Sequence, residues 1–333
     1  MTYRIILIPG DGIGPEVSEA TKQVVEATGL AVKWETHLAG QSALDALGSP
    51  LPAETLAAVQ SADATLKGPT ATPSGTGFRS VNVELRQKLC LFANYRPARS
   101  LPGVPSRYQD VDLIVVRENT EGLYSGLEHE VVPGVVESLR VVTEVASERI
   151  ARFAFETARR QGRKRVTCVH KANILKLSDG LFLRTFRRVA EAFPEIASDD
   201  CIIDAAAMKL VINPQSFDVM VMENLFGDIV SDLTAGLVGG LGLAPSANVG
   251  EGVAVFEAVH GSAPDIAGKG IANPTALILS AVLMLRYLSQ REAADRIETA
   301  VRAIFARGEV RTGDLGGKAT TQQFVDAVLA EIA

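Results

Sequence analysis

The stretch Asn224-Leu225-Phe226-Gly227-Asp228-Ile229-Val230-Ser231-Asp232 sets two carboxylates four residues apart in a segment that otherwise reads as a helix. On a helix, positions i and i+4 share a face, so Asp228 and Asp232 aim at one spot. Two like charges at that spacing repel by about as much as an ion pair gains. A hard cation that takes oxygen ligands, Mg²⁺ or Mn²⁺, turns the repulsion into coordination. An arbitrary Asp-x-x-x-Asp is more often a solvated acidic face. Here Leu225, Phe226, Ile229, Val230 and Leu233 flank the pair, which argues against a stripe facing only solvent and for a functional carboxylate pair.

The 333 residues supply about two domains' worth of material. A hydrophobic share of 47% and a charged share of 22% describe an ordinary globular protein with a sizeable core. The net charge of −6 argues against a nucleic-acid partner, which would demand an excess of Lys and Arg. Cys90, Cys168 and Cys201 are too widely spaced for a disulfide framework or a zinc site and suit a reducing, cytoplasmic setting. The N-terminal apolar run is short and soon meets Gly and Asp, which reads as a buried strand rather than a signal peptide. The longest apolar stretch, residues 276–285, is about half of what a bilayer needs, so no membrane partner is expected.

Short apolar runs at residues 4–8, 31–36 and 62–66 alternate with a helix-like segment at 16–27, the pattern of a largely parallel sheet covered by helices. After Arg96 the texture changes. Pro97, Pro102 and Pro105 interrupt, 111–117 is a strongly apolar strand, and Val-rich residues 128–142 form a hairpin with Pro133-Gly134 at its tip. A helix at 146–161, a strand at 166–170 and strand-like runs at 201–205 and 219–222 lead into the helix of the two aspartates. Near Gly240 the first texture returns and ends in helices at 275–288, 291–307 and 320–332. An insertion, 99–247, inside a discontinuous outer domain, 1–98 and 248–333, accounts for this order.

Gly10-Asp11-Gly12-Ile13-Gly14-Pro15 follows a strand and opens a helix, yet Pro15 stands where a dinucleotide fingerprint needs its third glycine. A tight strand-to-helix turn is the better reading. Arg86, Arg96 and Arg117 lie in or at the ends of apolar elements and can converge as bidentate clamps on carboxylates. With the acidic pair, they imply a small substrate carrying several carboxylates. Lys171 closes a strand and Tyr124 follows Arg117 closely. Either can act as an acid or base when desolvated or near a metal. His170 has no second histidine at ligand spacing and reads as a packed or hydrogen-bonded residue. The segment from Glu257 to Asn273 is dense in Gly, Pro and polar residues. Such a loop is a surface connector or wraps a nucleotide, with Asp265 placed to accept a ribose diol and repel a 2′-phosphate.

Taken in order, Gly10-Asp-Gly-Ile-Gly, Arg117-Glu-Asn-Thr-Glu-Gly-Leu-Tyr124, the two-aspartate stretch, His260-Gly-Ser-Ala-Pro-Asp265 and Asp314-Leu-Gly-Gly resemble the β-decarboxylating dehydrogenases acting on isocitrate, homoisocitrate, 3-isopropylmalate and tartrate, across essentially the whole chain. The resemblance implies the isocitrate/isopropylmalate dehydrogenase-like α/β fold, non-Rossmann, with a large nucleotide-binding domain and a smaller inserted domain that holds substrate, metal, dimer interface and a dimer clasp. It implies a homodimer with active sites shared between subunits, leaving pairing into tetramers open. Ser80, Asn82, Arg86, Arg96, Arg117, Tyr124, Lys171 and Asn173 would bind substrate. Tyr124 and Lys171 would be catalytic, and Asp228, Asp232 and a subunit-crossing Asp204 would hold Mg²⁺ or Mn²⁺. Thr72, Asn173, Glu257, His260, Gly261, Ser262, Ala263, Pro264, Asp265, Ile266, Asn273 and Asp314 would bind the cofactor. Asp265-Ile266 resembles the NAD form.

Ser80-x-Asn82 is similar to the isocitrate enzymes, whereas the stretch 236–281 and the C-terminal Asp314-Leu-Gly-Gly-Lys-Ala-Thr-Thr resemble bacterial homoisocitrate dehydrogenases, some of which carry Arg where this chain has Val83. On this reading homoisocitrate, converted to 2-oxoadipate in lysine biosynthesis through 2-aminoadipate, ranks first. Isocitrate, as in the citric acid cycle, ranks second, and 3-isopropylmalate and tartrate rank behind both. Two other classes are weighed: a polycarboxylate-binding protein without chemistry would need neither the acidic pair nor Lys171, and a metal-dependent hydrolase would need no nucleotide loop.

Overall fold

Ile5, Ile6 and Ile8 are fully buried, as expected of a strand covered by helices on both sides of a parallel sheet. In a computed structural model of the chain, the described residues are 2–73, 75 and 77–332. Ser74, Thr76, Met1 and Ala333 lie outside them. The chain divides into two compact units: Met1–Leu89, Ser100–Gln109 and Val238–Ala333 form the first, and Cys90–Arg99 with Asp110–Leu237 the second.

The first unit opens with β1 (Tyr3–Ile8), α1 (Gly14–Glu26), β2 (Val32–Thr36), α2 (Gln41–Leu47), α3 (Ala53–Ser61), β3 (Ala64–Lys67) and α4 (Val81–Lys88). The second unit carries β4 (Ala93–Arg99), β5 (Asp112–Glu118), β6 (Gly122–Val132), β7 (Val135–Val141), α5 (Glu144–Arg160), β8 (Arg165–His170), α6 (Ser178–Ala190), β9 (Ala197–Ile202), α7 (Ile203–Ile212), β10 (Val219–Met222) and α8 (Asn224–Leu237). The chain then returns to the first unit with β11 (Pro245–Val249), β12 (Ala254–Ala258), α9 (Thr275–Tyr287), α10 (Arg291–Arg307) and α11 (Thr321–Ile332).

In the first unit the strands run β2-β1-β3-β12-β11, parallel except for the β12–β11 pair. Helix α9 is the apolar stretch singled out in the sequence. Ala276, Leu277, Ile278, Ala281 and Leu285 are all fully buried, because the helix is covered by α1, α10 and the sheet. Among the described residues no helix is long and apolar enough to cross a membrane.

In the second unit the order is β4-β5-β10-β8-β9, with only β4–β5 antiparallel. Thr143 accepts the Ala146 N–H at 3.2 Å and so starts α5. That helix buries Ile150, Ala151, Ala154, Phe155 and Ala158. Phe155 lies between Phe186 and Phe193, with ring centroids 5.3 and 5.1 Å away. Truncating such a ring to Ala costs roughly 3–5 kcal/mol. Strands β6 and β7 form a separate antiparallel hairpin that turns at Pro133-Gly134.

Two features differ from the sequence reading. The boundaries fall at 89/90, 99/100, 109/110 and 237/238 rather than at 98/99 and 247/248. Strand β4 joins the second unit because it pairs with β5 along its whole length, from Ala93↔Glu118 to Arg99↔Asp112. The proline-marked residues 100–109 go back to the first unit, where Arg311 donates to the Gly103 carbonyl. The second difference is that residues 203–212, read in part as a strand, form α7. Three consecutive alanines favour a helix, and an apolar run this short has no periodicity to reveal it.

Candidate active site

On α8, Asp228 and Asp232 sit on one face, and a single nitrogen, Arg96 Nη1, lies 3.7 Å from Asp228 Oδ1 and 3.4 Å from Asp232 Oδ1. The two carboxylates therefore share a focus. Arg96, inside β4, also donates to Ser231 Oγ at 2.5 Å. Arg117, the penultimate residue of β5 and 1% exposed, donates to Asp228 Oδ1. Its Nε and Nη2 both reach the Asn224 side-chain oxygen, at 3.0 and 2.7 Å. Its stem crosses Gly227 so closely that a Cβ there would stand 2.4 Å from Arg117 Cγ. Tyr124 on β6 donates to the other oxygen of Asp228, and the Arg117 guanidinium covers its ring at 4.9 Å.

Electrostatics give this cluster its character. Burial, then the bond to Asp228, raises the Tyr124 hydroxyl above its usual range, which keeps it a proton donor. Burial raises the Asp232 carboxyl as well. Arg96 opposes the shift and Asp228 adds to it, leaving a net rise. Arg96 and Arg117 do not offset the desolvation of Asp232, so a further positive charge beside it would favour its charged form. Half-exposed oxygens on a rigid helix suit a hard divalent cation that keeps several waters.

Lys171 follows β8 directly, and its Nζ pairs with Asp204, the second residue of α7. The Lys171 ammonium lowers the Asp204 carboxyl. Asp204 is not gathered with Asp228 and Asp232: among the described residues no group of three His, Cys, Asp or Glu side chains could hold a metal ion. Asn173 is exposed in the turn after Lys171. His170 accepts the Ala172 N–H at 3.0 Å and faces Asp200 at 3.2 Å, the satisfied histidine expected.

In the first unit, Ser80 stands immediately before α4, and Asn82 in its first turn accepts the Thr70 hydroxyl at 3.1 Å. Arg86, buried at the helix end, donates to Glu257 Oε1 at 3.1 Å. Lys67 reaches Glu257 Oε2 at 2.8 Å, and Asn248 reaches Oε1 at 2.7 Å. Burial alone would raise the Glu257 carboxyl, but Lys67 and Arg86 overcome it and hold the group well below the ordinary carboxylate range. Glu257 thus lies on β12, occupied by a buried ion cluster, rather than in the loop where the sequence reading put it.

The loop itself, residues 259–274, is tied down by the turn at Gly10–Gly14. The Ile13 N–H donates to the Ser262 carbonyl at 2.9 Å, and a Cβ on Gly12 would stand 1.9 Å from that same oxygen. Asp11 accepts three backbone N–H groups, from Gln41, Ser42 and Ala71. Glu16 accepts those of Gly270 and Ala272. The glycine motif is a structural stitch, as its spacing suggested. Asn273 donates to Asp314 at 3.0 Å. Ala263 holds a left-handed φ of 39°. Gly261, Pro264 and Asp265 are exposed, Ser262 and Ile266 half-buried, and Thr72 exposed in the loop after β3. His260 Nδ1 lies 3.0 Å from the Gly261 carbonyl, whereas its buried Nε2 has no hydrogen-bond partner among the described residues. Burial lowers the His260 pKa and keeps the ring neutral. An orphaned buried ring nitrogen can meet a ligand's polar atom, and the exposed Asp265 carboxylate in the same loop can accept a ribose diol.

Asn224, Gly227 and Ser231 were not singled out in the sequence, though Asn224 and Ser231 fall at helical spacing from the two aspartates and could have been found from it. Lys67, a strand-end lysine, carried no signal.

An α/β chain with a two-carboxylate helix ringed by arginines and a tyrosine defines a class of dehydrogenase. The chain belongs to the isocitrate/isopropylmalate dehydrogenase family, whose model matches residues 4–328. It is 56% identical over 97% of its length to the mitochondrial NAD isocitrate dehydrogenase catalytic subunit 5 of Arabidopsis thaliana, covering 86% of that protein. It is 52% identical to the 3-isopropylmalate dehydrogenase of Archaeoglobus fulgidus, covering 98% of each. The crystal structure of isocitrate dehydrogenase from Methylococcus capsulatus superposes with a TM-score of 0.97 at 52% identity over 99% of both chains.

Proposed function

We infer that this chain is an NAD-dependent, divalent-metal-dependent dehydrogenase that oxidises a 2-hydroxy tricarboxylate and releases its β-carboxylate as CO₂, with isocitrate the foremost substrate and homoisocitrate the second. The observation that carries this reading is the shared focus of Asp228, Asp232, Arg96, Arg117 and Tyr124. The order of substrates differs from that of the sequence reading. Similar proteins are named as NAD isocitrate dehydrogenases, and the polar pair Ser80 and Asn82 suits either tricarboxylate. The cytoplasmic setting rests on cysteine usage alone, and some of these relatives are mitochondrial.

Arg86, Arg96 and Arg117 bind the substrate carboxylates as fixed forks. Asp228 and Asp232, with Asp204 from a second copy of the chain, would hold Mg²⁺ or Mn²⁺, whose Lewis acidity stabilises negative charge on the substrate's 2-oxygen. Residues 260–266, with Thr72, Asn173, Asn273 and Asp314, would hold NAD, the hydride acceptor. Lys171, relayed by Asp204, takes the proton of the 2-hydroxyl. Tyr124, kept protonated by its surroundings, returns a proton to carbon 3 once CO₂ has left. Glu257 supports Arg86 instead of touching the nucleotide.

The test is kcat/KM for isocitrate, homoisocitrate and 3-isopropylmalate, with NAD and NADP, with and without added metal. Both tricarboxylates should exceed 3-isopropylmalate, because a site with polar groups rejects an analogue that leaves them unpaired. The Asp265→Lys, Ile266→Tyr double variant should move preference toward NADP. A preference for 3-isopropylmalate, or equal use of NADP by the unaltered protein, would sink the substrate or cofactor assignment respectively.

A further inference from the structure

Arg140, near the end of β7, puts its guanidinium between two buried carboxylates of the second unit. One is Asp179, 1% exposed, in the first turn of α6. Its Oδ1 accepts from Arg140 Nη1, while its Oδ2 accepts the backbone N–H of Lys171 at 2.5 Å. The other is Glu223, directly before α8. It lies 3.5 Å from Arg140 Nη2 and accepts the N–H groups of Leu225 and Phe226 at 3.2 and 3.0 Å. The same guanidinium stands 5.2 Å over the Phe226 ring. One cation thus joins the carboxylate that fixes the backbone at Lys171 to the carboxylate that caps the helix bearing Asp228 and Asp232.

We propose that Arg140, acting through Asp179 and Glu223, is a positioning residue that fixes the Lys171 backbone and the start of α8. The proposal rests on the assignment of Lys171 as proton acceptor, and it is the same whether Lys171 and α8 serve one site or two. Removing the cation leaves two buried carboxylates without their shared partner, a costly arrangement. They relieve it by moving apart, and each carries with it the backbone N–H groups it holds. A displacement of about 1 Å at a reacting group is enough for a roughly hundredfold loss of rate.

The experiment compares Arg140→Met, Arg140→Lys, Asp179→Asn and the Met/Asn double variant in the full-length protein. Steady-state kinetics are read together with amide hydrogen exchange of the segment that contains Lys171. Arg140→Met should lower kcat by about 10- to 100-fold, hold the KM for NAD within about twofold, and speed exchange at the Lys171 amide. Arg140→Lys, which keeps a cation, should recover most of kcat. Because the residues act in series, the double variant should be no worse than the poorer single one. Unchanged exchange at Lys171 in folded Arg140→Met, or losses that multiply in the double variant, would overturn the proposal. If Arg140→Met does not fold, Asp179→Asn decides, since wild-type exchange and kcat there would also overturn it. Lys171→Met tests the functional reading separately: full turnover would refute the role of Lys171, while the exchange measurement would still judge the relay.

Discussion

Gly227 shows how much a single position in the two-aspartate stretch controls. Arg117 is buried and held by Asn224 and Asp228, so it cannot swing aside for a side chain at 227. A Cβ there would lie 2.4 to 2.5 Å from the Cγ and Cβ of Arg117. Gly227→Ala should displace the guanidinium and reduce kcat/KM by about 10- to 100-fold, although alanine favours a helix by roughly 1 kcal/mol over glycine. Kinetics together with a thermal melt separate the two effects, and an active, stabilised Gly227→Ala variant would show that Arg117 has more freedom than this packing allows. Asp228→Asn asks a different question, because it keeps the shape and removes a ligand charge. It should abolish turnover and weaken Mn²⁺ binding measured by spin-probe titration, with the melt little changed. Ordinary Mn²⁺ affinity in that variant would remove Asp228 from the metal site.

At the level of elements, the ion cluster of β3, α4 and β12 gives a pH signature. Glu257 has a lower pKa folded than unfolded. Its contribution to stability is therefore complete above its unfolded pKa of about 4.3 and is lost as pH falls toward the folded value. Glu257→Gln should destabilise the protein at neutral pH and flatten this part of the acid limb in denaturant melts. An acid limb identical to that of the unaltered protein would mean that Lys67 and Arg86 do not stabilise the charge. The same cluster shows where sequence reasoning reaches its end. The helix of Asp228 and Asp232 was legible because its chemistry and its period coincide within nine residues. The hairpin tip was legible from Pro133-Gly134, and the end of the helix Arg291–Arg307 from Gly308, which closes it in a left-handed conformation. Glu257 was misplaced in a loop, since its partners Lys67 and Arg86 lie 190 and 171 residues away and no local pattern records a long-range ion pair. The pairing of Arg96 and Arg117 with the aspartates, rather than with an incoming carboxylate alone, was hidden for the same reason. Residues 203–205, read as the end of a strand, belong to α7; a short apolar run fits strand and helix equally.

For the whole molecule, the open question is whether one copy of the chain holds a complete site. Asp204 and Lys171 form their own pair, and among the described residues no third acidic or ligating side chain joins Asp228 and Asp232. The same unit exposes apolar side chains on several elements: Val136 and Leu139 on the hairpin, Leu177 before α6, Met208 and Ile212 on α7, and Ile229 on α8 between the two aspartates. Where exposed apolar side chains adjoin, they mark partner-binding faces, and two-fold dimers are the commonest closed assembly. If Lys171 and Asp204 act on the Asp228–Asp232 pair of a second copy, two inactive variants should complement each other. Lys171→Met and Asp228→Asn, each inactive alone, are unfolded together and refolded as a mixture. Half of the dimers are then mixed, and each mixed dimer has one site with both residues intact and one with neither. Activity should return to about a quarter of the wild-type value per mole of chain. A mixture that stays inactive, with mixed dimers demonstrated by a tag on one variant, would place the whole site within a single chain and refute the shared arrangement.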